Sequence, residues 1–427
     1  MVSKKSAYFY AGNGRIFKIN MKVALVHDYI KEYGGAERVL EALVEIFPDA
    51  PIYTSFCEKK SESYKHFKDK RIITSWAQNI PGFKTRLYSP LRFLTPLIWN
   101  SFNLSKYDLI ISSSSWYIAK GFKKPNDKFT EICYCHTPPR WLYGYNTSVN
   151  FQKYWPVKVY ALVIGHFLRL YDFKRAQKVD YFIANSKEVQ ARIKKFYRRD
   201  STVIYPPVSL NGAEIAEVAH ENSLVSARDK TKSKITINPA NARQENFVSS
   251  PQSDDVAPYY FIVSRIVGAK GLDLAVEAAI KMGFKLKIAG SPAGYSSENN
   301  NLIKKSQNKV EFLGQVSDEE LVRLYAQAKG FLALSKDEDF GITPVESQLC
   351  GTPVIAFNGG GYKETVINGK TGILFNDYSV EGLIEAVKKF ESSKFNSKDC
   401  VEQAQKFSKE RFVREITEFV KSKVKNK

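Results

Sequence analysis

The stretch Tyr260-Phe-Ile-Val263, followed by residues 271–281 and by Lys285-Leu-Lys-Ile-Ala289, decides the fold class. The first and last parts are short apolar runs typical of buried strands. The middle part has apolar residues at the spacing of an α-helix. A strand, a helix and a second strand in this order predict a β-α-β unit with two parallel strands.

The same alternation continues on both sides of residues 211–256. Before that segment we predict strands at 22–27, 108–112, 131–135, 181–184 and 202–205 and helices at 35–46 and 187–197. After it we predict strands at 310–313, 330–334 and 353–357. We predict helices at 318–328, from 344, at 380–390 and at 399–423. Repeated β-α-β units predict an α/β protein with two doubly wound parallel sheets and a ligand cleft between them.

The division into domains follows from this alternation. Residues 211–256 are rich in Ser, Asn, Ala and Gln and lack a sustained period, which is typical of a linker or an insertion. We predict an N-terminal extension at 1–20, a first Rossmann-like domain at 21–208, a linker at 209–257, a second Rossmann-like domain at 258–405, and a C-terminal helix at 406–427 that packs back on the first domain.

Composition excludes several classes of protein. The 427 residues are 44% apolar and 25% charged, which excludes a disordered chain or a disulfide-stapled mini-protein. Five cysteines, with Cys133-x-Cys135 as the one close pair, match no zinc pattern and fit a reducing cytosol. No apolar run reaches ~18 residues and no signal peptide is evident, so we expect no membrane-spanning helix.

The positive charge is unevenly distributed. Residues 1–206 carry 34 Lys and Arg against 16 Asp and Glu, so the first half holds almost the whole net charge of +20. A basic half indicates a polyanionic partner, either nucleic acid or an anionic membrane surface, and a merely solvated basic surface is the alternative. Residues 85–99 and 154–169 mix basic, aromatic and apolar side chains, which suits a membrane interface or, alternatively, buried helices with cationic ends.

The most informative motif is Glu338-Asp-Phe-Gly-Ile-Thr-Pro-Val-Glu346, which leads from a strand into a helix. Thr343 and Glu346 fit a capping box, so Glu346 could serve only to cap the helix. Phe340, Gly341 and Ile342 would expose backbone N–H groups at the helix start, which suits a diphosphate. Glu338 lies before the helix, where no cap needs it, and suits hydrogen bonds from sugar hydroxyls.

These residues resemble a known family. Residues 260–375 are similar to the donor domain of the family 4 retaining glycosyltransferases, which have the two-domain GT-B fold and the signature Glu-x-Phe-Gly-x-x-x-x-Glu. Further matches are Ser264-Arg265, Lys270-Gly271, Asn358-Gly-Gly-Gly361, Glu364 and Thr371-Gly372. The first half matches through His27-Asp-Tyr, Gly34-Gly-Ala-Glu37-Arg38, Tyr134-Cys-His136-Thr-Pro-x-Arg140 and Ala184-Asn-Ser186.

The resemblance implies roles for individual residues. Catalytic roles fall on Glu338, His136, Arg265 and Lys270, and donor binding falls on Gly34, Gly35, Arg265, Lys270, Glu338, Phe340, Gly341, Ile342 and Glu346. Elementary chemistry agrees for the cations, because a guanidinium fork and a compact ammonium both stabilise a leaving phosphate. An ordinary tight turn at Gly34-Gly35 and a structural His136 are the alternatives.

The resemblance also implies a reaction. The likeness is to mannosyltransferases of bacterial polysaccharide and O-antigen (lipopolysaccharide) assembly, and it implies transfer of mannose from GDP-mannose to a lipid-linked saccharide. It implies a nucleotide-sugar donor with no other cofactor, no metal and no nucleic acid, and a cytoplasmic protein peripheral to the inner face of the membrane. A UDP-sugar donor, a nucleotide-sugar epimerase of similar fold and a basic nucleic-acid-binding protein are the alternatives.

Overall fold

The structure is a computed structural model, and it describes residues 7–10, 16–19, 21–124, 129–145, 155–210, 258–265, 270–290 and 309–424. The predicted linker at 209–257 lies outside the described residues from position 211 onward. Of the predicted extension at 1–20, two short strands are described, β1 (Ala7–Tyr10) and β2 (Ile16–Ile19), which pair antiparallel.

A seven-stranded parallel sheet forms the centre of the first domain in the described part of the chain. Its spatial order is β5-β4-β3-β6-β7-β8-β9. The strands are β3 (Val23–His27), β4 (Ile52–Thr54), β5 (Ile72–Thr74), β6 (Leu109–Ser114), β7 (Thr130–Cys135), β8 (Tyr181–Ala184) and β9 (Ser201–Val203). The three-residue strands β4 and β5 were not predicted, because such short runs have no distinctive period.

A six-stranded parallel sheet with the order β12-β11-β10-β13-β14-β15 forms the second domain, again among the described residues. The strands are β10 (Tyr259–Val263), β11 (Lys285–Ala289), β12 (Val310–Gly314), β13 (Gly330–Ala333), β14 (Val354–Phe357) and β15 (Gly372–Phe375). The prediction of two doubly wound parallel α/β sheets is therefore confirmed.

Helices cover both faces of each sheet. They are α1 (Gly35–Ile46), α2 (Glu62–Phe67), α3 (Thr95–Asn100), α4 (Trp155–Ala176), α5 (Lys187–Tyr197), α6 (Leu272–Met282), α7 (Asp318–Gln327), α8 (Ile342–Leu349), α9 (Tyr362–Thr365), α10 (Val380–Glu391), α11 (Ser397–Gln405) and α12 (Lys409–Val424). Short 3-10 helices lie at Trp76–Asn79, Pro90–Leu94 and Arg140–Leu142, and a π-helical turn lies at Phe83–Leu87. No helix in these described ranges is both long and apolar enough to cross a membrane.

The strands are apolar on both faces because each sheet has two hydrophobic cores. In β3, Val23 and Leu25 join one core, whereas Ala24 and Val26 join the core on the opposite face. Strand β10 alternates in the same way between two further cores. Side chains along a strand alternate between faces, so a strand covered on both sides must be apolar throughout.

The C-terminal residues return to the first domain. Phe412, Ile416 and Val420, spaced four apart on α12, belong to the same core as Val23 and Leu25 of the first sheet. The single helix predicted at 399–423 is wrong, because the chain breaks between α11 and α12. At this break the amide of Val208 donates to the carbonyl of Phe407 at 2.9 Å. This hydrogen bond joins the segment that leaves the first domain to the segment that returns to it.

Candidate active site

The predicted site residues lie on loops that follow strands of the two sheets, or on the helices into which those loops lead. Strands β3 and β6 are neighbours in the first sheet, and β10 and β13 are neighbours in the second, so the strand order reverses at both places. Such a switch point opens a crevice at the carboxyl ends of parallel strands. His27 ends β3, while Lys270 and Glu338 follow β10 and β13. The topology therefore brings residues far apart in sequence to one cleft.

Glu338 forms an ion pair inside this cleft. The Lys270 Nζ atom lies 2.7 Å from Glu338 Oε2, and the Tyr362 hydroxyl donates to the same oxygen at 3.4 Å. Burial raises the pKa of Glu338, but Lys270 and then Arg140 outweigh burial and bring that pKa down to about 2. Glu338 is therefore an ionised hydrogen-bond acceptor at neutral pH.

Three consecutive glycines hold the loop that carries Glu338. A Cβ atom on Gly360 would lie 2.1 Å from the carbonyl oxygen of Glu338, and one on Gly361 would lie 2.4 Å from Phe340 Cα. Gly360 also has a φ of +54°, a conformation that favours glycine. The Gly361 amide donates to the Glu338 carbonyl at 2.9 Å. The glycines thus allow two backbone segments to touch and fix the position of Glu338.

The first domain contacts the same loop from across the cleft. The Arg140 guanidinium donates to the Asp337 carbonyl and lies 2.8 Å from Asp339 Oδ2. Arg192 on α5 pairs with the other oxygen of Asp339 at 2.6 Å. The Asp339 carboxylate therefore joins two cations of the opposite domain.

Glu346 lies on α8 and connects the two domains. Its Oε1 accepts a hydrogen bond from Arg38 of α1, and its Oε2 accepts one from the Tyr325 hydroxyl at 2.9 Å. The capping-box interpretation is wrong, because the helix begins at Ile342 after Gly341 and no side chain caps it. Glu346 is instead a buried carboxylate that holds a cation of the first domain.

The start of α8 faces the glycine pair of the first domain. A Cβ atom on Gly35 would lie 2.7 Å from Ile342 Cδ1, so α1 and α8 approach closely at their first residues. The Gly34 amide donates to Glu37 Oε2 at 2.9 Å, which fixes the loop before α1. Gly341 has a φ of +91° and leads into α8 without a side chain. Two helix N-termini therefore meet in the cleft.

Arg265 and Lys270 have different partners. Arg265 Nη1 lies 2.8 Å from Glu32 Oε2 in the loop between β3 and α1, and both side chains are about half exposed. Lys270 instead contacts Glu338. The structure thus places both predicted cations at the cleft, one against Glu32 of the first domain and the other against Glu338 of the motif. Residues 266–269 lie outside the described part.

His136 follows β7 and lies at the same edge of the first sheet. Burial, and to a lesser extent His27, lowers the pKa of His136 to about 3, so its ring is uncharged at neutral pH. The next residue, Thr137, accepts a hydrogen bond at 3.2 Å from Arg192, which also holds Asp339. His136 therefore belongs to the loop that contacts the Glu338 segment.

Several residues of the site were not predicted. Arg38 and Arg140 stand within the motifs that carry the family resemblance, but no role was assigned to them. Tyr325 and Tyr362 are not among the residues to which the sequence assigned a role. Ser113 is one of four consecutive serines. Their partners are distant in sequence, so only the folded topology brings them to the site.

The described residues contain no group of three or more His, Cys, Asp or Glu side chains that could hold a metal ion. The Asp28 carboxylate, for example, is already occupied by backbone amides. Its Oδ2 accepts from the amides of Ser115 and Trp116 at 2.8 and 2.5 Å, and its Oδ1 accepts from the amide of Ala119 at 3.2 Å. Asp28 anchors a loop.

Two family models match the chain. Residues 33–211 match the model "Glycosyltransferase Family 4", and residues 243–407 match "Glycosyl transferases group 1". The first match covers most of the domain with the seven-stranded sheet, and the second covers the domain with the six-stranded sheet. Together they account for both sides of the cleft.

Individual relatives agree with these models. The chain is 26% identical over 331 residues to the alpha-1,3/1,6-mannosyltransferase ALG2 of Dictyostelium discoideum, which covers 70% of each chain. It is 29% identical over 147 residues to an uncharacterized glycosyltransferase of Methanocaldococcus jannaschii. That match spans 42% of the archaeal protein and 34% of this chain.

Solved structures share the fold over almost the whole chain. A sucrose-phosphate synthase from Thermosynechococcus elongatus has a TM-score of 0.65 at 17% identity, covering 95% of this chain and all of that one. HepE of Anabaena in complex with UDP and glucose has a TM-score of 0.61 at 17% identity, covering 94% of this chain and all of that one. With its two facing parallel sheets and both halves matched, the chain belongs to glycosyltransferase family 4 and is a glycosyltransferase with the GT-B fold.

Proposed function

We propose that this glycosyltransferase transfers mannose from GDP-mannose to a lipid-linked saccharide, with retention of configuration at the anomeric carbon, in the synthesis of a cell-surface glycan. The observation that carries the proposal is the Lys270–Glu338 pair at the switch point of the second sheet. A fixed cation suits the leaving diphosphate, and an ionised carboxylate suits the hydroxyls of the transferred sugar.

Charge development in the reaction explains the surrounding residues. As the sugar–phosphate bond breaks, the ring gains positive charge and the leaving phosphate gains negative charge. Lys270, Arg265 and the N-terminal end of α8 would stabilise the negative charge on the phosphate. In this proposal the acceptor hydroxyl attacks on the same face, and the leaving phosphate accepts its proton. No side chain is assigned as a general base.

The donor sugar is inferred from likeness. The mannosyltransferase ALG2 of Dictyostelium discoideum shares 70% of its length with this chain, and the motif resemblance is also to mannosyltransferases. The glutamates, cations and glycines described above suit any nucleotide diphosphate sugar. A UDP-sugar donor is therefore an outcome that the donor experiment below must distinguish.

The donor is tested by titration calorimetry and by transfer assays with a panel of GDP-sugars and UDP-sugars. We expect GDP-mannose to be bound and transferred in preference. Lys270→Ala and Arg265→Ala should weaken binding of the nucleoside diphosphate far more than binding of the bare nucleoside, because both cations are assigned to phosphate. Preferential transfer from a UDP-sugar would show that the donor is that UDP-sugar and not GDP-mannose. Conversion of a nucleotide sugar without any acceptor would indicate an epimerase.

The acceptor side presents an exposed apolar face, which we define as the solvent-facing residues of α4 together with the neighbouring segment 87–97. Its exposed members are Leu87, Phe93, Leu97, Trp155, Val159, Leu162, Val163, Phe167 and Leu170. The Tyr160 hydroxyl donates to the Pro90 carbonyl and joins the two parts. We propose that this apolar face docks on an anionic, cytoplasmic membrane surface, where a lipid-linked acceptor is anchored.

The cations that would assist docking are Arg86 and Lys158, which are exposed, and Lys84, which is half-buried. Arg92, although it lies in the same segment, cannot serve in this way. Its guanidinium lies 4.3 Å from the ring centroids of both Trp116 and Trp141, and its Nε donates to the Ser89 carbonyl at 2.7 Å. Arg92 therefore stabilises the loop by cation–π contacts.

A further inference from the structure

Four polar side chains of the first domain form one continuous hydrogen-bonded chain. Glu37 Oε1 lies 3.4 Å from His27 Nε2, and His27 Nδ1 lies 3.0 Å from Ser113 Oγ. Ser113 Oγ lies 2.8 Å from His136 Nε2. All four residues are buried. An unpaired polar atom is costly when it is buried, so each hydrogen bond among these four side chains needs one donor and one acceptor.

The register of the sheet creates this chain. His27 in β3 pairs with Ser113 in β6, and Ser114 pairs with Cys135 in β7. His136 follows Cys135, and its amide donates to the Ser114 carbonyl at 3.0 Å. The three side chains therefore come from adjacent strand ends at the cleft. They are fixed by the backbone of the sheet and not by a mobile loop.

The proton positions follow from one end of the chain. An ionised carboxylate only accepts, so Glu37 requires a proton on His27 Nε2. When His27 is uncharged, its Nδ1 accepts, and the Ser113 hydroxyl donates to it. The Ser113 oxygen then accepts the Nε2 proton of His136. Burial, followed by the neighbouring His27, lowers the pKa of His136 to about 3, so its other ring nitrogen carries a lone pair.

We propose that Ser113, His27 and Glu37 are positioning residues that hold His136 with its proton on Nε2, so that Nδ1 accepts a hydrogen bond from a hydroxyl of the bound donor sugar. Among the residues that the structure describes, no group donates to His136 Nδ1. The inference rests on the proposed sugar transfer at this cleft. It adds that the sugar hydroxyl donates the hydrogen bond and that His136 accepts it.

A second contact extends the chain to the glycine loop. Glu37 Oε2 accepts the Gly34 amide at 2.9 Å, while Glu37 Oε1 faces His27. The same carboxylate therefore fixes the loop that approaches α8 and orients His27. A change at Glu37 should disturb both the loop and His136, whereas a change at Ser113 should disturb the two histidines and leave the loop in place.

The chain superficially resembles the nucleophile, base and acid of a hydrolase, but the environment of Ser113 excludes that role. Its side chain is enclosed in the sheet with 1% exposure. Both functions of its hydroxyl are used, because it donates to one histidine and accepts from the other. A nucleophile needs access to substrate, and the burial of Ser113 denies that access even though its hydroxyl donates to a histidine. Ser113 therefore acts through His136.

The proposal is tested first by nitrogen-15 NMR of histidine-labelled protein, which distinguishes the two neutral tautomers of each ring. The His136 signal is assigned by its loss in His136→Gln. We expect the wild type to carry the proton on Nε2. Ser113→Ala should produce a mixture of tautomers at His136, and Ser113→Thr, which restores a hydroxyl, should return the wild-type pattern. A wild-type His136 with its proton on Nδ1 would overturn the proposal.

Ser114→Ala is the matched control. Ser114 is the next residue on β6, is equally buried, and its hydroxyl has no hydrogen-bond partner among the described residues. It should leave the His136 tautomer unchanged. If Ser113→Ala also leaves it unchanged, Ser113 does not position His136, whatever the enzyme transfers.

Kinetics supply the second readout. We expect Ser113→Ala to lower kcat/KM for the donor by about 10-fold, the typical effect of misdirecting one buried hydrogen bond. Ser113→Thr should recover most of the loss, and Ser114→Ala should stay within about 3-fold of the wild type. An unchanged kcat/KM in Ser113→Ala overturns the proposal. If the wild type transfers no sugar from any donor, the proposed function fails, and the tautomer measurement still decides the role of Ser113.

Discussion

Glu338 is a half-buried carboxylate that must stay ionised to accept hydrogen bonds from the sugar. We expect Glu338→Ala to lower turnover by roughly 100-fold or more, since it removes a preorganised hydrogen-bond acceptor for the sugar. The measurement is kcat with the preferred donor. Glu338→Gln, which keeps the shape but can also donate, should lose most of the activity while keeping the fold. Near-normal turnover in either variant would remove Glu338 from the reaction.

The same residue predicts a pH dependence of stability. Its pKa falls from the model-compound value of 4.5 to about 2 in the folded protein. A depressed pKa contributes stability that is complete above 4.5 and is lost as the pH falls through about 2. The melting temperature of Glu338→Gln should therefore approach that of the wild type between about pH 5 and pH 2. A constant difference across this range would contradict the ion pair with Lys270.

Glu346 predicts a separation between nucleoside and phosphate binding. Its carboxylate joins Arg38 and Tyr325, and we propose that it also contacts the ribose of the bound donor. Glu346→Gln should weaken binding of the bare nucleoside, whereas Lys270→Ala should weaken only binding of the diphosphate. Both affinities are measured by calorimetry. Unchanged nucleoside affinity with a lower melting temperature would leave Glu346 with a role in the domain interface alone.

At the scale of elements, the glycine segment 359–361 matters because it fixes a neighbouring loop. Gly360→Ala should destabilise the protein by about 1–3 kcal/mol and weaken donor binding, since its Cβ would meet the Glu338 backbone. Gly369→Ala is the matched control, because Gly369 also has a positive φ of +78° but has nothing within 4 Å of a Cβ atom. Equal losses of melting temperature and donor affinity in the two variants would indicate backbone strain without the contact.

Elements were predictable from the sequence where their period was distinct. The helix Gly35–Ile46 was predicted with its observed bounds, because a glycine pair precedes a clear apolar stripe. The helix Trp155–Ala176 was recognised only as an apolar and basic segment, since its outer face is also apolar. A helix with apolar residues on its outer face as well as on its inner face lacks the one-sided period from which helices are recognised.

Contacts across the cleft could not be predicted in the same way. Arg38 and Glu346 are 308 residues apart, and no local pattern pairs them. Ser113 could not be distinguished from Ser112, Ser114 and Ser115 until the register placed it opposite His27. The motif 338–346 could be singled out in the sequence because its chemistry is local, whereas Arg38, Arg140 and Arg192, which contact it from the first domain, could not be paired with it.

At the scale of the whole molecule, the distribution of apolar and basic side chains predicts reversible membrane docking. Binding to vesicles of anionic lipid, measured by sedimentation, should weaken sharply as salt rises, because exposed charges are screened within about 10 Å at 0.1 M. Reversing Lys84, Arg86 and Lys158 to Glu should weaken it as well, since each cation near the surface contributes about 1 kcal/mol at most.

The apolar face is tested with Leu162→Glu and Phe167→Glu, whose side chains are 70% and 64% exposed. Both should reduce vesicle binding without lowering the melting temperature, because neither side chain contributes to a core. Ile367→Glu, an exposed apolar position on the second domain, is the control and should bind as the wild type does. If all three variants bind vesicles equally, the lipid contact lies elsewhere or is absent.

The return of α12 to the first domain has a consequence for the order in which the protein is made. Phe412, Ile416 and Val420 complete a core whose other members lie in the first half of the chain. At about 5–20 residues per second, the ribosome needs roughly 10–40 s to add the ~200 residues that separate the two. During that interval the first domain is synthesised but its core is open. We therefore expect this one core of the first domain to be completed only after α12 has been made, and the nascent first domain to expose until then an apolar surface that a chaperone could cover.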